Sequence, residues 1–148
     1  MLPYFPKKFI WIFSKKYIAG ETLEDAIRVS KEFNSDGIRV TMDVLGEFIT
    51  NLDQAEENKF EYLNLIDVIH QSGINGNFSV KPTMFGLLID QEVCYLKIRE
   101  IVARAAKYSN FIRIDMEDSQ CTDMEIALYR RLKHEFPKNV GLVVQAYL

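Results

Sequence analysis

The chain has 148 residues, 48% of them hydrophobic, enough for one compact domain with its own core. A net charge of −3 lacks the basic excess of a nucleic-acid-binding face, so no nucleic-acid partner is expected. Cys94 and Cys121 are too few for a disulfide framework and, with His70 and His134 far apart, make no zinc motif, so a reduced cytoplasmic setting is the default.

Residues 3 to 18 read as an aromatic, basic helix or turn. Within them, Phe9-Ile10-Trp11-Ile12-Phe13 is too short to span a bilayer, and no small-residue cleavage pattern follows it. A helix packed on the domain is the plain interpretation; peripheral contact with a membrane surface or a partner is the sharper one. Thr22 with Asp25 resembles a capping box, and Leu23, Ala26 and Ile27 follow at helical spacing. Asn34 to Gly37 is turn chemistry, and Ile38 to Val44 is a β-type run.

Asp53, with Glu56 in the box position, opens a second helix whose expected apolar stripe is Phe60, Leu63, Ile66 and Ile69 or His70. Gly73 suits a helix C-cap, and Gly76 to Lys81 forms the next strand, ended by Pro82. A helix over Gln91 to Lys107 presents Cys94, Ile98, Ile101, Val102 and Ala105 on one face. The strand beginning at Phe111 runs into three acids, Asp115, Glu117 and Asp118. Thr122 and Glu125 look like another capping box, with Ile126, Tyr129, Leu132 and Phe136 behind it and Pro137 at its end. Residues 140 to 148 are the most β-like stretch.

Strand starts thus recur at 38, 76, 110 and 140, with helices between, which predicts βαβ units and parallel strands. We expect a single incomplete α/β domain: an N-terminal helical segment over 1–36, then the first four β/α strands of a barrel over 37–148. A complete (β/α)8 barrel takes roughly 250 residues, so about half is expected here. The other half would come from a C-terminal continuation or from a second copy.

No Gly-x-Gly-x-x-Gly or Walker-type loop follows a strand, so nucleotide binding of the Rossmann kind has no motif support. Instead, polar residues gather at strand C-terminal ends: Asp43 and Glu47, Lys81, Asp115 and Glu117, and Gln145. In a barrel these meet at one mouth, where ligands bind; taken singly, each could be a rim ion pair or turn residue. Lys81, inside an apolar strand, must pair with an acid such as Asp115, hold a substrate carboxylate, or form a Schiff base.

Three stretches together resemble successive motifs of the flavin-dependent proline dehydrogenase family. They are Ser79-Val80-Lys81-Pro82-Thr83 with Gly86-Leu87, Phe111 through Ser119, and Val144-Gln145-Ala146-Tyr147-Leu148. Tyr17-Ile18-Ala19-Gly20-Glu21-Thr22 and Asp43-Val44-Leu45-Gly46-Glu47 resemble its earlier segments, in the same order. The resemblance implies a distorted (β/α)8 barrel that holds FAD at its strand ends. It implies oxidation of L-proline to 1-pyrroline-5-carboxylate by hydride transfer to the flavin, with electrons passing to a membrane quinone. It also implies roles. Lys81 pairs with the substrate carboxylate, and Asp115 and Asp43 are site acids. Glu47 closes over the substrate by pairing with an arginine, and Gln145 touches the flavin. The arginine pair, the aromatic lid and most FAD-binding residues belong to the family's second half, so these 148 residues alone are not expected to bind FAD tightly or turn over. A Schiff-base lyase or aldolase using Lys81, and a non-catalytic half-barrel assembly module, are the alternatives.

Overall fold

A computed structural model describes residues 22–146. The aromatic segment over residues 3 to 18, and Tyr147 and Leu148, lie outside the described residues.

The elements run α1 (Leu23–Ser35), β1 (Val40–Met42), α2 (Leu52–Gln71), β2 (Gly76–Val80), a 3-10 turn (Pro82–Phe85), α3 (Gln91–Lys107), β3 (Ile112–Ile114), α4 (Thr122–Glu135) and β4 (Val140–Leu142). The four strands form one sheet in the order β1-β2-β3-β4, all parallel. Each of the three crossovers carries one α-helix, so these are three consecutive β/α steps ending in a fourth parallel strand, the arrangement found in part of a (β/α)8 barrel. Register pairs Val40 with Gly76, Phe78 with Ile112, and Ile112 with Val140.

Alternation along the strands divides their residues between two faces. Phe78, Val80, Ile112, Ile114 and Val140 are fully buried in one core with Tyr62, Ile66 and Ile69 of α2, Ile98 and Ile101 of α3, and Leu132 of α4. The alternate positions, Ser79, Arg113 and Gly141, lie on the opposite face. Gly76 is where two backbones approach: a Cβ there would sit 2.7 Å from Val40 Cγ2 and 2.9 Å from its carbonyl oxygen. The strand at Gly76 therefore cannot carry a side chain without moving β1.

Several helix details differ from expectation. Thr22 caps α1 as anticipated, its Oγ1 accepting from the Asp25 amide. The cap of α2 is Asn51, whose Oδ1 accepts from Asp53 N at 2.8 Å, so Asp53 is a first-turn acid rather than the cap. Its buried stripe is Ala55, Lys59, Tyr62, Leu65, Ile66 and Ile69, while Phe60 is 59% exposed. Lys59 and Tyr62 carry long apolar bodies with polar tips, and they displaced the simpler apolar stripe because those tips find partners. Lys59 pairs with Glu56 one turn back on α2 and with Glu100 across the seam on α3.

The α3 boundaries and its buried face match expectation residue for residue. At α4 the expected capping box is absent. Cys121 is the cap residue and makes no side-chain cap bond, Thr122 is the first helical residue, and Glu125 turns inward. β4 spans Val140–Leu142, shorter than the apolar run that continues beyond it; over 143–146 the described chain leaves the strand after one further bond to β3.

Candidate active site

The C-terminal ends of the strands deliver the predicted polar residues to one rim. Lys81, one residue beyond β2, is held extended by the proline that follows it (φ −101°, ψ 115°). Its Nζ lies 3.8 Å from Asp43 Oδ2 and 3.8 Å from Glu47 Oε2. Asp43 comes from the end of β1 and Glu47 from the loop behind it. Lys81, Glu47, Asp115 and Gln145, with Phe48, Met116, Glu117 and Asp118, line one cavity of about 300 Å³. Asp43 enters through its contact with Lys81 and otherwise faces a separate groove between α1 and β1.

The supporting contacts explain why these side chains stay at the rim. Asp115 N donates to Val80 O at 2.9 Å, which extends the β2–β3 pairing one step to the level of Lys81. Val143 N donates to Ile114 O at 2.9 Å and does the same for β4. Gln145 then reaches back, its Nε2 donating to Met116 O at 3.0 Å, which fixes the amide at the cavity wall. Among the described residues, Lys81 pairs with Asp43 and Glu47, not with Asp115.

Tyr62, Thr83 and Glu125 also belong to this region, although sequence reasoning assigns none of them to the site. Tyr62, fully buried on α2, has its hydroxyl oxygen 2.7 Å from Ser79 O and 3.0 Å from Asp43 Oδ1, so its one proton is donated to one of them or shared between the two, and it accepts from Val44 N (3.2 Å). It ties the start of the loop after β1 to β2. A tyrosine in an otherwise apolar stripe is the signal that could have found it, since a buried hydroxyl needs partners. Thr83 follows Pro82 and bonds Glu117 through both its amide (2.9 Å) and its hydroxyl. Glu125 Oε1 accepts from Glu117 N at 3.1 Å.

Burial shapes the acids here. It pushes the Asp43 carboxyl up, against the lowering effects of the Tyr62 hydroxyl and the Lys81 charge. It pushes Glu117 up as well, against the two Thr83 bonds. Burial raises the Tyr62 phenol, with the Asp43 charge adding to the effect. It takes Glu125 to about 7. Cys94 and Cys121 are buried, and burial raises both thiols, the environment of structural rather than reactive cysteines. Among the described residues, no group of three or more His, Cys, Asp or Glu could hold a metal ion.

A parallel β/α sheet with a cation, several carboxylates and an amide at its carboxyl rim is the ligand-binding layout of a barrel enzyme. Comparison with known proteins makes that class specific. The family model described as proline dehydrogenase matches residues 26–148, and the chain belongs to the proline dehydrogenase family. It is 33% identical over 135 residues to proline dehydrogenase 1 of Bacillus subtilis (strain 168), covering 91% of this chain and 44% of that protein. It is 34% identical over 143 residues to proline dehydrogenase of Deinococcus radiodurans, covering 94% and 46%. The chain thus spans just under half the length of these relatives. In fold it resembles the crystal structure of proline utilization A from Bdellovibrio bacteriovorus inactivated by N-propargylglycine. The TM-score is 0.83 at 20% identity, covering 96% of this chain and 18% of that one.

Proposed function

We propose that these residues are the N-terminal portion of an FAD-dependent proline dehydrogenase, oxidising L-proline to 1-pyrroline-5-carboxylate. The observation that carries this is the convergence of Lys81, Glu47, Asp115 and Gln145 on one cavity at the strand ends, in a chain of this family. The Lys81 ammonium is a point charge suited to a substrate carboxylate. The acids around it suit the ammonium of a zwitterionic substrate, which must lose a proton before the C–N bond is oxidised. Asp43 and Asp115 are the candidates to face that nitrogen, and Glu47 is the acid placed to close over bound substrate. Lys81 would exchange an acid partner for the substrate when it binds.

The residues fit a flavin at the rim. Gln145 offers an amide held at the wall by Met116, and Met116 itself is nearly buried beside it. Bound there, FAD would supply the hydride acceptor. Gln145 would hold its ring system, and the sheet would give one rigid side against which substrate is aligned. The remaining half of the site would come from a C-terminal half or a second copy. A quinone is the proposed electron acceptor. Peripheral membrane contact through the apolar run Phe9–Phe13 is proposed from its basic flanks, and a cytoplasmic location from the cysteine usage. No helix among the described residues is long and apolar enough to cross a membrane. A Schiff-base role for Lys81 is less favoured, since its Nζ lies within 3.8 Å of carboxylates of both Asp43 and Glu47 and the chain belongs to the proline dehydrogenase family.

The test is anaerobic addition of L-proline to the purified, flavin-loaded protein that carries these residues. Bleaching of the flavin absorbance with release of pyrroline carboxylate is expected. A bound flavin that proline leaves oxidised would overturn the proposal.

A further inference from the structure

We propose that Thr83 and Glu117 form a bracket that positions Glu47, so that the turn after Lys81 sets the geometry of both charges at the rim. Glu47 sits between Gly46 and Phe48, and both of these neighbours rest on the Pro82–Phe85 turn. Phe48 N donates to Thr83 Oγ1 at 3.0 Å. A Cβ built on Gly46 would meet Met84 Cε at 3.0 Å, so the backbone there lies directly on the Met84 side chain. Phe48 has φ 50°, a left-handed conformation that a bulky residue does not adopt without being held.

The Thr83 hydroxyl has one proton and bonds two neighbours, so its direction is determined. Glu117 Oε2 takes the proton, and the Phe48 amide donates to the hydroxyl oxygen. Glu117 Oε1 accepts the Thr83 amide at 2.9 Å, which satisfies both carboxylate oxygens from one residue. Glu117 is fixed in turn by Glu125 Oε1 on its amide. The result is a relay of contacts from α4 through the end of β3 to the loop after β1, with Thr83 only 2% exposed at its centre. Because Thr83 lies two residues from Lys81, the same turn fixes both members of the Lys81–Glu47 pair. Thr83 and Glu117 are positioning residues, acting through Glu47. This inference rests on the proposed role of Glu47 in closing over substrate.

The experiment uses the flavin-loaded protein with Thr83→Val, which keeps the shape and removes the hydroxyl, and Thr83→Ser, which keeps the hydroxyl. Hydrogen exchange of the Phe48 amide reads the bracket itself, and proline kinetics read its consequence. Thr83→Val is expected to speed exchange at Phe48 and raise KM about tenfold with a smaller change in kcat, the effect of losing bonds of this kind. Thr83→Ser is expected to restore both. In a Glu47→Gln background, Thr83→Val should raise KM little further. Unchanged Phe48 exchange in Thr83→Val, failure of serine to rescue, or additive effects with Glu47→Gln would each overturn the proposal. Should Thr83→Val not fold, Glu117→Gln takes its place and is expected to give the same exchange and KM changes, their absence counting against the bracket. If wild-type protein has no proline activity, the functional proposal fails while the exchange arm still decides the bracket.

Discussion

Glu125 shows how a sequence pattern can point the wrong way at a single residue. Placed three residues after a threonine at a helix start, it has the spacing of a capping box. In the structure it is 0% exposed, bonds the Glu117 amide, and leaves Oε2 without a partner among the described residues. Burial raises it from an ordinary 4.5 to about 7, so the folded state holds its proton more tightly than the unfolded chain. Its contribution to stability is therefore full below about pH 4.5 and lost as pH rises to about 7, a change of about 3 kcal/mol. Glu125→Gln keeps an acceptor for Glu117 and cannot titrate. Denaturant unfolding should show wild type losing stability relative to this variant between pH 4.5 and 7.5, and parallel curves would contradict it. The rim residues Asp43, Lys81, Asp115 and Gln145 were legible because each is polar at the end of an apolar strand. Tyr62 and Thr83 were not, since each looks like ordinary helix or turn filling until its partners, far away in sequence, are known.

At the scale of elements, legibility follows the length of the repeating pattern. Helix α3 has five buried residues at regular spacing and was read correctly at both ends. The strands at 38–44 and from 140 are shorter than the sequence suggests, because β-type residues continue past the ladder at β1 and β4, while β3 ends where its acids begin. Gly76 tests how closely these short strands pack. Gly76→Ala places a Cβ within 2.9 Å of the Val40 carbonyl oxygen, a backbone atom that cannot swing aside. A loss of about 1–3 kcal/mol in unfolding free energy is expected from such overpacking. A variant as stable as wild type would show that β1 yields. Replacing the α2 cap, Asn51→Ala, should cost about 1 kcal/mol in the same assay, while Asp53→Ala should cost less.

For the whole molecule, the four-stranded parallel sheet has β1 and β4 at its edges, and Leu45 (89% exposed) and Val144 (75%) stand beside them. Edge strands of this kind present unpaired backbone groups, and the chain spans under half the length of its relatives. That a barrel mouth is assembled here from successive strands is what the proposed chemistry requires. Its most exacting element is the Lys81 ammonium as the anchor for a carboxylate. The direct measurement is the affinity of a non-oxidisable carboxylate analogue of proline for the flavin-loaded protein, in wild type and Lys81→Met, read from the flavin spectrum. Removing the charge should weaken binding about a hundredfold while flavin remains bound, whereas equal affinity in the two proteins would contradict the account.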